Sequence, residues 1–252
     1  MYKVLDKDTI ISEILPHLSI AKRGFVYKAN IVEVVNSILY KLKTGIQWRL
    51  LPVRALFSDV VLSCKTVFYH FRNWSKNGEW KSVWINLLNK HRDKLDMSSV
   101  DLDGSHIRAT KGVESVGYQG RKKSNTTNAL YLTDRQGIPL AMSEPISGEH
   151  HDLYKTEKSM SIIFETLREA HIYVDGLFLN ADAGFDSKGF RKECKDSGIF
   201  PNVCFNKKNK EHDDDDCVDE LLYCERYSIE RTNAWFDSFR SILIRHDTTL
   251  TS

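Results

Sequence analysis

The hydrophobic pattern of the chain changes period once. Up to about residue 95, apolar side chains recur every three to four positions, as in amphipathic helices; from about residue 97 they alternate, as in strands, with helical stretches between. Residues 8–18 predict a short helix that Pro16 ends or bends. Residues 30–44 predict a longer one, with Asn30 as cap, Ile31, Val34, Val35, Ile38, Leu39 and Leu42 as its apolar stripe, and Gly45 as its stop. GIQWRLLP, Gly45 to Pro52, reads as an irregular turn with a buriable Trp48. Residues 64–74 predict a helix with Val67, Phe68, Phe71 and Trp74 toward the core. Its polar side carries Lys65, Thr66, Tyr69, His70, Arg72 and Asn73. The stretch SKNGEWKSVWINLLNK starts another helix, packed through Trp80, Trp84 and Leu87 or Leu88.

In the second part, residues 98–104 predict a strand with Val100 and Leu102 on one face and Asp101 and Asp103 on the other. Residues 109–127 are polar and contain Gly, and they read as a mobile basic loop holding Arg121, Lys122 and Lys123. Residues 128–134 and 138–146 predict a hairpin turned at Arg135-Gln136-Gly137. GEHHDL then leads into a helix over about 153–168. Residues 172–180 form a strand whose run Leu177-Phe178-Leu179 suits a central position, and Asp182 follows just past its end. A helix over 186–196, a strand IFPNVCF, a basic Lys207–Lys210 segment and an acidic loop, Glu211–Glu220, come next. That loop lacks the spaced ligands and Gly of a calcium loop. The last helix is predicted over Tyr223–Arg240, with Tyr227, Ala234, Trp235, Ser238 and Phe239 on its packed face. On it Arg226 and Glu230, four apart, project side by side. The order predicts an α/β fold: a small all-helical domain over 1–95, then a mixed sheet with flanking helices over 96–252.

Composition adds little until charge is mapped. The 252 residues carry a net charge of only +2, but residues 1–96 hold 16 Lys and Arg against 8 Asp and Glu, which leaves 20 against 26 for the rest. A basic first part fits a polyanion-binding module, and an acid-rich second part fits a carboxylate site. Lys65 and Arg72 are the cations of the third helix that would meet DNA phosphates, in the manner of a helix-turn-helix binder. Five scattered Cys without a C-x-x-C pair suggest reduced thiols. The N-terminus lacks the layout of a secretory signal, so the cytoplasm is the expected location.

Candidate chemistry lies in three acids. Asp103 ends the first strand, Asp182 ends the fourth, and Glu230 lies on the last helix. Adjacent strand ends can bring two aspartates together, and a helix across the sheet can add the third carboxylate. Three crowded carboxylates repel, so such a site needs cations, and hard oxygen donors suit Mg²⁺ or Mn²⁺. Two such ions can activate water or a 3′-hydroxyl at a phosphodiester. Asp101, on the same strand face as Asp103, is an alternative ligand; His106, His150 and His151 are candidates for proton transfer or DNA contact.

These motifs, in this order, resemble bacterial insertion-sequence transposases of the DDE type, in particular the insertion-sequence-five-like group. GIQWRLLP and FRNWSKNGEW resemble that family's N-terminal region, VDLDGSHIRA its first-aspartate motif (Asp103), GEHHDL the segment before its middle helix and NADAGFDS its second-aspartate motif (Asp182). The final motif is Tyr, two residues, Arg, three residues, Glu, six residues, Lys or Arg. Here it reads Tyr223, Arg226, Glu230 and then an acidic Asp237, with Arg240 about one turn on as a substitute cation. The resemblance implies an RNase H-like catalytic fold, metal-dependent cleavage at transposon ends and transfer of the exposed 3′-OH to target DNA. It also implies a homodimer on paired double-stranded DNA ends. Tyr223, Arg226, Arg240, Arg121, Lys122, Lys123, Lys65 and Arg72 are then the expected DNA contacts. A catalytically inactive DNA-binding remnant, suggested by Asp237 and the short stretch after Glu230, and a nuclease without strand transfer are the rival readings.

Overall fold

The structure, a computed structural model, describes residues 3–20, 29–110, 113–207, 209 and 217–250. Lys208, Lys210 and residues 211–216 of the basic segment and acidic loop lie outside the described residues. The chain forms two compact units: Met1–Leu87 with Asp237–Ser252, and Leu88–Phe236.

The first unit is helical. Helix α1, Ile31–Thr44, is capped by Asn30, whose side chain accepts from the Val32 N–H, and ends at Gly45 in the left-handed conformation with φ 68°. Helix α2, Cys64–Lys76, is capped by Ser63, which accepts from the Thr66 N–H; helix α3, Glu79–Lys90, follows. The core gathers Ile10, Ile14, Val34, Val35, Ile38, Leu56, Val67, Trp74 and Val83. The Trp74 indole N–H donates to the Ser19 carbonyl at 3.1 Å, which removes the penalty of burying it. His70, expected on the polar face of α2, is instead buried, and burial lowers its pKa. Lys65, Tyr69, Arg72 and Lys76 follow one another at i, i+4, i+7 and i+11 on the exposed side.

The tail was expected with the sheet, yet from Asp237 it belongs to the helical unit. The reason is local. The helical turn Arg240–Leu243 lies against Gly45, where a Cβ would come within 2.9 Å of the Arg240 Cβ. Ser241 donates to the Lys41 carbonyl (3.1 Å), Lys43 to Ser238 (2.8 Å), and Lys41 pairs with Asp247 (3.3 Å).

The second unit is built on a mixed sheet. Its strands are β1 Ser99–Ala109, β2 Gly117–Gln119, β3 Ser124–Asp134, β4 Pro139–Met142, β5 Ile146–Ser147, β6 Phe178–Ala181 and β7 Phe200–Val203. They run in the order β2-β3-β1-β6-β7, with β4 and β5 also on β3. β1 is antiparallel to β3 and parallel to β6, and β6 is parallel to β7. Register places Val100, Leu102, Leu130, Leu132 and Leu179 on one face, all buried. Each such side chain contributes about 1.5–3 kcal/mol through removal from water. Helix α4, Thr156–Glu169, buries Met160, Ile163, Phe164 and Leu167 and packs on β4. Helix α5, Lys188–Asp196, packs on β7. The mixed α/β architecture is the expected one.

Three local expectations change. The 109–127 segment is not one loop: β1 runs to Ala109, and β2 and β3 form a hairpin with Arg121, Lys122 and Lys123 exposed at its turn. Thr126, Thr127 and Asn128 are buried there, with Thr127 donating to the Ser115 carbonyl at 2.9 Å. The predicted strand 172–180 shrinks to Phe178–Ala181, because Gly176 turns the chain at φ 81° just before it. The last helix is broken into α6, Glu220–Cys224, and α7, Tyr227–Asp237. α7 buries Ser228, Ile229 and Thr232, while Tyr227 and Trp235, expected on the packed face, are 62% and 68% exposed.

Candidate active site

The site is laid out by strand register. β1 pairs with β6 at Ser99↔Phe178, Val100↔Leu179 and Asp101↔Asn180; Asp103 lies two residues further along β1, and Asp182 lies two residues beyond Asn180, just past the end of β6. Parallel neighbours lie about 4.8 Å apart, with facing residues on the same side of the sheet. β6 ends at Ala181 because Asp182 caps the turn Ala183–Phe185, its carboxylate accepting from the Gly184 N–H at 2.8 Å. That cap fixes Asp182 where β6 leaves the sheet.

Asp103 is held by two hydrogen bonds and has a raised pKa. Its Oδ1 accepts from the Gly104 N–H at 2.9 Å and its Oδ2 from the Asn233 amide at 3.2 Å. Burial is the main cause that pushes its carboxyl up to about 6, and the Glu230 and Asp182 carboxylates push the same way. The Gly104 N–H and the Arg226 guanidinium oppose the shift. The three predicted carboxylates thus share one electrostatic neighbourhood. Glu230 stands exposed in the first turn of α7, where the helix dipole favours an acid. Among the described residues no three His, Cys, Asp or Glu are set closely enough to hold a metal ion as they stand.

Around this centre the predicted contacts separate. Arg226 lies in the turn between α6 and α7, not on the helix of Glu230, with its guanidinium 5.7 Å from the Tyr223 ring centre. Tyr223 sits on α6, and its hydroxyl pKa is raised by burial, by a hydrogen bond with Cys204 and by the nearby Asp182. Lys65, Arg72 and Arg240 belong to the first unit.

The alternative ligand Asp101 is otherwise engaged. It is buried, accepts from the Asn180 amide at 2.8 Å and from the Ser228 hydroxyl, and burial raises its pKa. His106 shares the sheet face of Leu102, opposite that of Asp103, and its Nδ1 meets the Thr126 hydroxyl at 3.1 Å. His150 stacks on Tyr154 with ring centres 3.6 Å apart.

Several residues at the site are not legible in the motifs. Asn233 follows Glu230 by one helical turn, a spacing that could have flagged it. Gly104 is glycine because Asp152 fills its side-chain space: a Cβ there would lie 2.1 Å from the Asp152 Oδ1, which also accepts from the Asn128 amide at 2.7 Å. Behind Asp182, Asp186 accepts from the buried Arg191 and from the Asn206 N–H, and Arg191 donates to the Val203 carbonyl, tying the segment after β6 to the end of β7.

Residues 9–84 match the family described as "Putative transposase of IS4/5 family". The chain is 34% identical over 85 residues to the insertion element IS402 uncharacterized 16.2 kDa protein of Burkholderia cepacia, a match over 33% of this chain and 55% of that protein. The chain thus spans about half the length of that relative. Among solved structures it is similar to the piggyBac transposase synaptic complex with hairpin DNA (9% identity, TM-score 0.48, 86% of this chain and 63% of that one). It is also similar to a pre-cleavage Mos1 transpososome (9% identity, TM-score 0.31, 89% and 82%). Likenesses this distant assign no residue a role. Residues 94–249, which contain Asp103, Asp182 and Glu230, match the transposase DDE domain, and the chain belongs to the DDE transposase family.

Proposed function

We propose that this protein is a transposase that cuts DNA at the ends of a mobile element and joins the freed 3′-hydroxyl to target DNA, with Asp103, Asp182 and Glu230 as its catalytic carboxylates. The observation that supports this reading is that Asp182, just past the end of the strand beside β1, and Glu230 on α7 both lie near enough to Asp103 to raise its carboxyl pKa. A half-buried carboxyl pushed up to about 6 by desolvation, with two neighbouring acids pushing the same way, is the environment that a bound cation relieves. The donor set is all hard oxygen and fits Mg²⁺ or Mn²⁺; Asp103, Asp182 and Glu230 would hold two such ions. Such ions supply activation of the attacking oxygen and charge compensation at the leaving one.

The chain's own groups do the rest. The Gly104 N–H and the Asn233 amide hold the Asp103 carboxylate in one orientation. Arg226, braced on Tyr223, offers the cation nearest the reacting phosphate. Arg121, Lys122 and Lys123, exposed on the β2–β3 turn, track the backbone of double-stranded DNA, and Lys65 and Arg72 on α2 contact the terminal repeats. Arg240 is a further DNA contact, two copies act on paired ends, and the reaction runs in the cytoplasm. Among the described residues no helix is long and apolar enough to cross a membrane.

The test is cleavage and joining of duplexes carrying the element's ends, in Mg²⁺ and in EDTA. Wild type yields nicked 3′-OH ends and joined products in Mg²⁺, and Asp103→Ala, Asp182→Ala and Glu230→Ala each abolish both. Wild type that neither nicks nor joins overturns the proposal. Nicking without joining reassigns the chain as a nuclease.

A further inference from the structure

One row beneath the carboxylates runs a buried polar ladder. The Ser228 hydroxyl donates to Asp101 Oδ2. The Asn180 amide donates to Asp101 Oδ1 at 2.8 Å, and the Asn202 amide donates to Asn180 Oδ1 at 2.7 Å. Asn202 also donates to the Asp219 carbonyl at 3.1 Å and accepts from the Asp219 N–H at 2.8 Å. Ser228, Asp101, Asn180 and Asn202 are all at most 3% exposed. Register makes this one row, since Asp101 faces Asn180 and Asn180 faces Asn202 across β1, β6 and β7. Two residues further on, β1 carries Asp103, and Asp182 follows the end of β6.

We propose that this ladder is the positioning device of the active site, with Asn180 and Asn202 as its central members. The inference rests on the function proposed above. Backbone hydrogen bonds fix the strands relative to one another, but the helices need side chains to reach the sheet. Each end of the ladder grips one helix. Asp219 is the N-cap of α6, which carries Tyr223. Ser228 lies in the first turn of α7, two residues before Glu230. Ser228 and Asn180 both donate to Asp101, which accepts at both carboxylate oxygens, and Asn202 donates to Asn180 and to the Asp219 carbonyl, so no member can turn without leaving a buried neighbour unpaired. A chain of this kind admits one spacing between the α6 cap, the strands β1, β6 and β7, and α7. Apolar side chains of the same size would fill the row without selecting that spacing.

The test compares wild type, Asn180→Leu, Asn202→Leu, Asp101→Asn and Asp103→Ala in three readouts: Mn²⁺ binding from the paramagnetic resonance signal of free Mn²⁺, end-duplex binding in EDTA, and cleavage against Mg²⁺ concentration. The leucine variants are expected to keep duplex binding while losing about 10-fold or more in Mn²⁺ affinity, with a parallel rise in the Mg²⁺ needed for half-maximal cleavage. Asp101→Asn still accepts from Asn180 and donates to the Ser228 hydroxyl, so it is expected to retain both. Asn202→Ser carries the same comparison if the leucine variants do not fold. Leucine variants that bind Mn²⁺ like wild type overturn the ladder, as does an Asp101→Asn variant as impaired as Asp103→Ala, which would make Asp101 a ligand. Failure of the proposed function reads differently: wild type itself then shows no Mn²⁺ binding that Asp103→Ala removes.

Discussion

Replacing Asp103 by Asn should stabilise the metal-free protein at neutral pH. Folding moves this carboxyl from 3.8 to about 6. Below 3.8 it is protonated in both states and contributes nothing. Between 3.8 and about 6 the unfolded chain ionises first, so the folded state loses stability as pH rises, and above about 6 the loss is complete. At about 1.36 kcal/mol per pH unit the ceiling is about 3 kcal/mol. An Asn at 103 keeps an acceptor for the Gly104 N–H but weakens the bond from the Asn233 amide, a loss of about 1 kcal/mol. The net gain is then about 2 kcal/mol, or about 4–8 °C in thermal midpoint for a unit of this size. The assay is thermal unfolding of both proteins in EDTA from pH 4 to 8. The gain should be full above pH 6 and shrink toward pH 4. A difference that stays constant across that range, or a variant less stable at pH 7.5, refutes the reasoning.

Other substitutions probe the frame. Arg191→Ala leaves Asp186 buried without its cation and should destabilise by about 3–5 kcal/mol in urea unfolding. Gly104→Ala forces the Asp152 carboxylate aside and should lose about 1–3 kcal/mol, together with cleavage, because the displaced strand carries Asp103. Trp74→Ala empties the core of the helical unit and strands the Ser19 carbonyl, for about 3–5 kcal/mol by thermal unfolding. Lys65→Ala and Arg72→Ala, both exposed, should leave stability unchanged but each lower the salt slope of duplex binding by about one.

The strands that carry the candidate acids were legible because they are apolar: Val100 and Leu102 alternate with Asp103 in β1, and the run ending at Asn180-Ala181 places Asp182 just past β6. α7 was misread because its packed face is made by hydrogen bonding as much as by hydrophobicity. Ser228 and Thr232 are buried because they donate to Asp101 and to the Gly137 carbonyl, partners far away in sequence. Trp235, the largest side chain of the stretch, faces solvent instead. The break before α7 carries no Pro or Gly; Glu225 there pairs with Arg135 at 2.5 Å, a contact that only the fold brings together. For the same reason the β2–β3 hairpin looked like a loop: Thr126, Thr127 and Asn128 are polar residues in a buried strand. Arg240 could not be assigned from its spacing to Glu230, because the chain passes into the helical unit at Asp237.

The most direct measurement of the central claim is anomalous diffraction from crystals of the protein soaked in Mn²⁺ with an end duplex bound. The account predicts ion density about 2.1 Å from carboxylate oxygens of both Asp103 and Asp182, with Glu230 turned toward it. Density on Asp101, or none between Asp103 and Asp182 at saturating Mn²⁺, contradicts it.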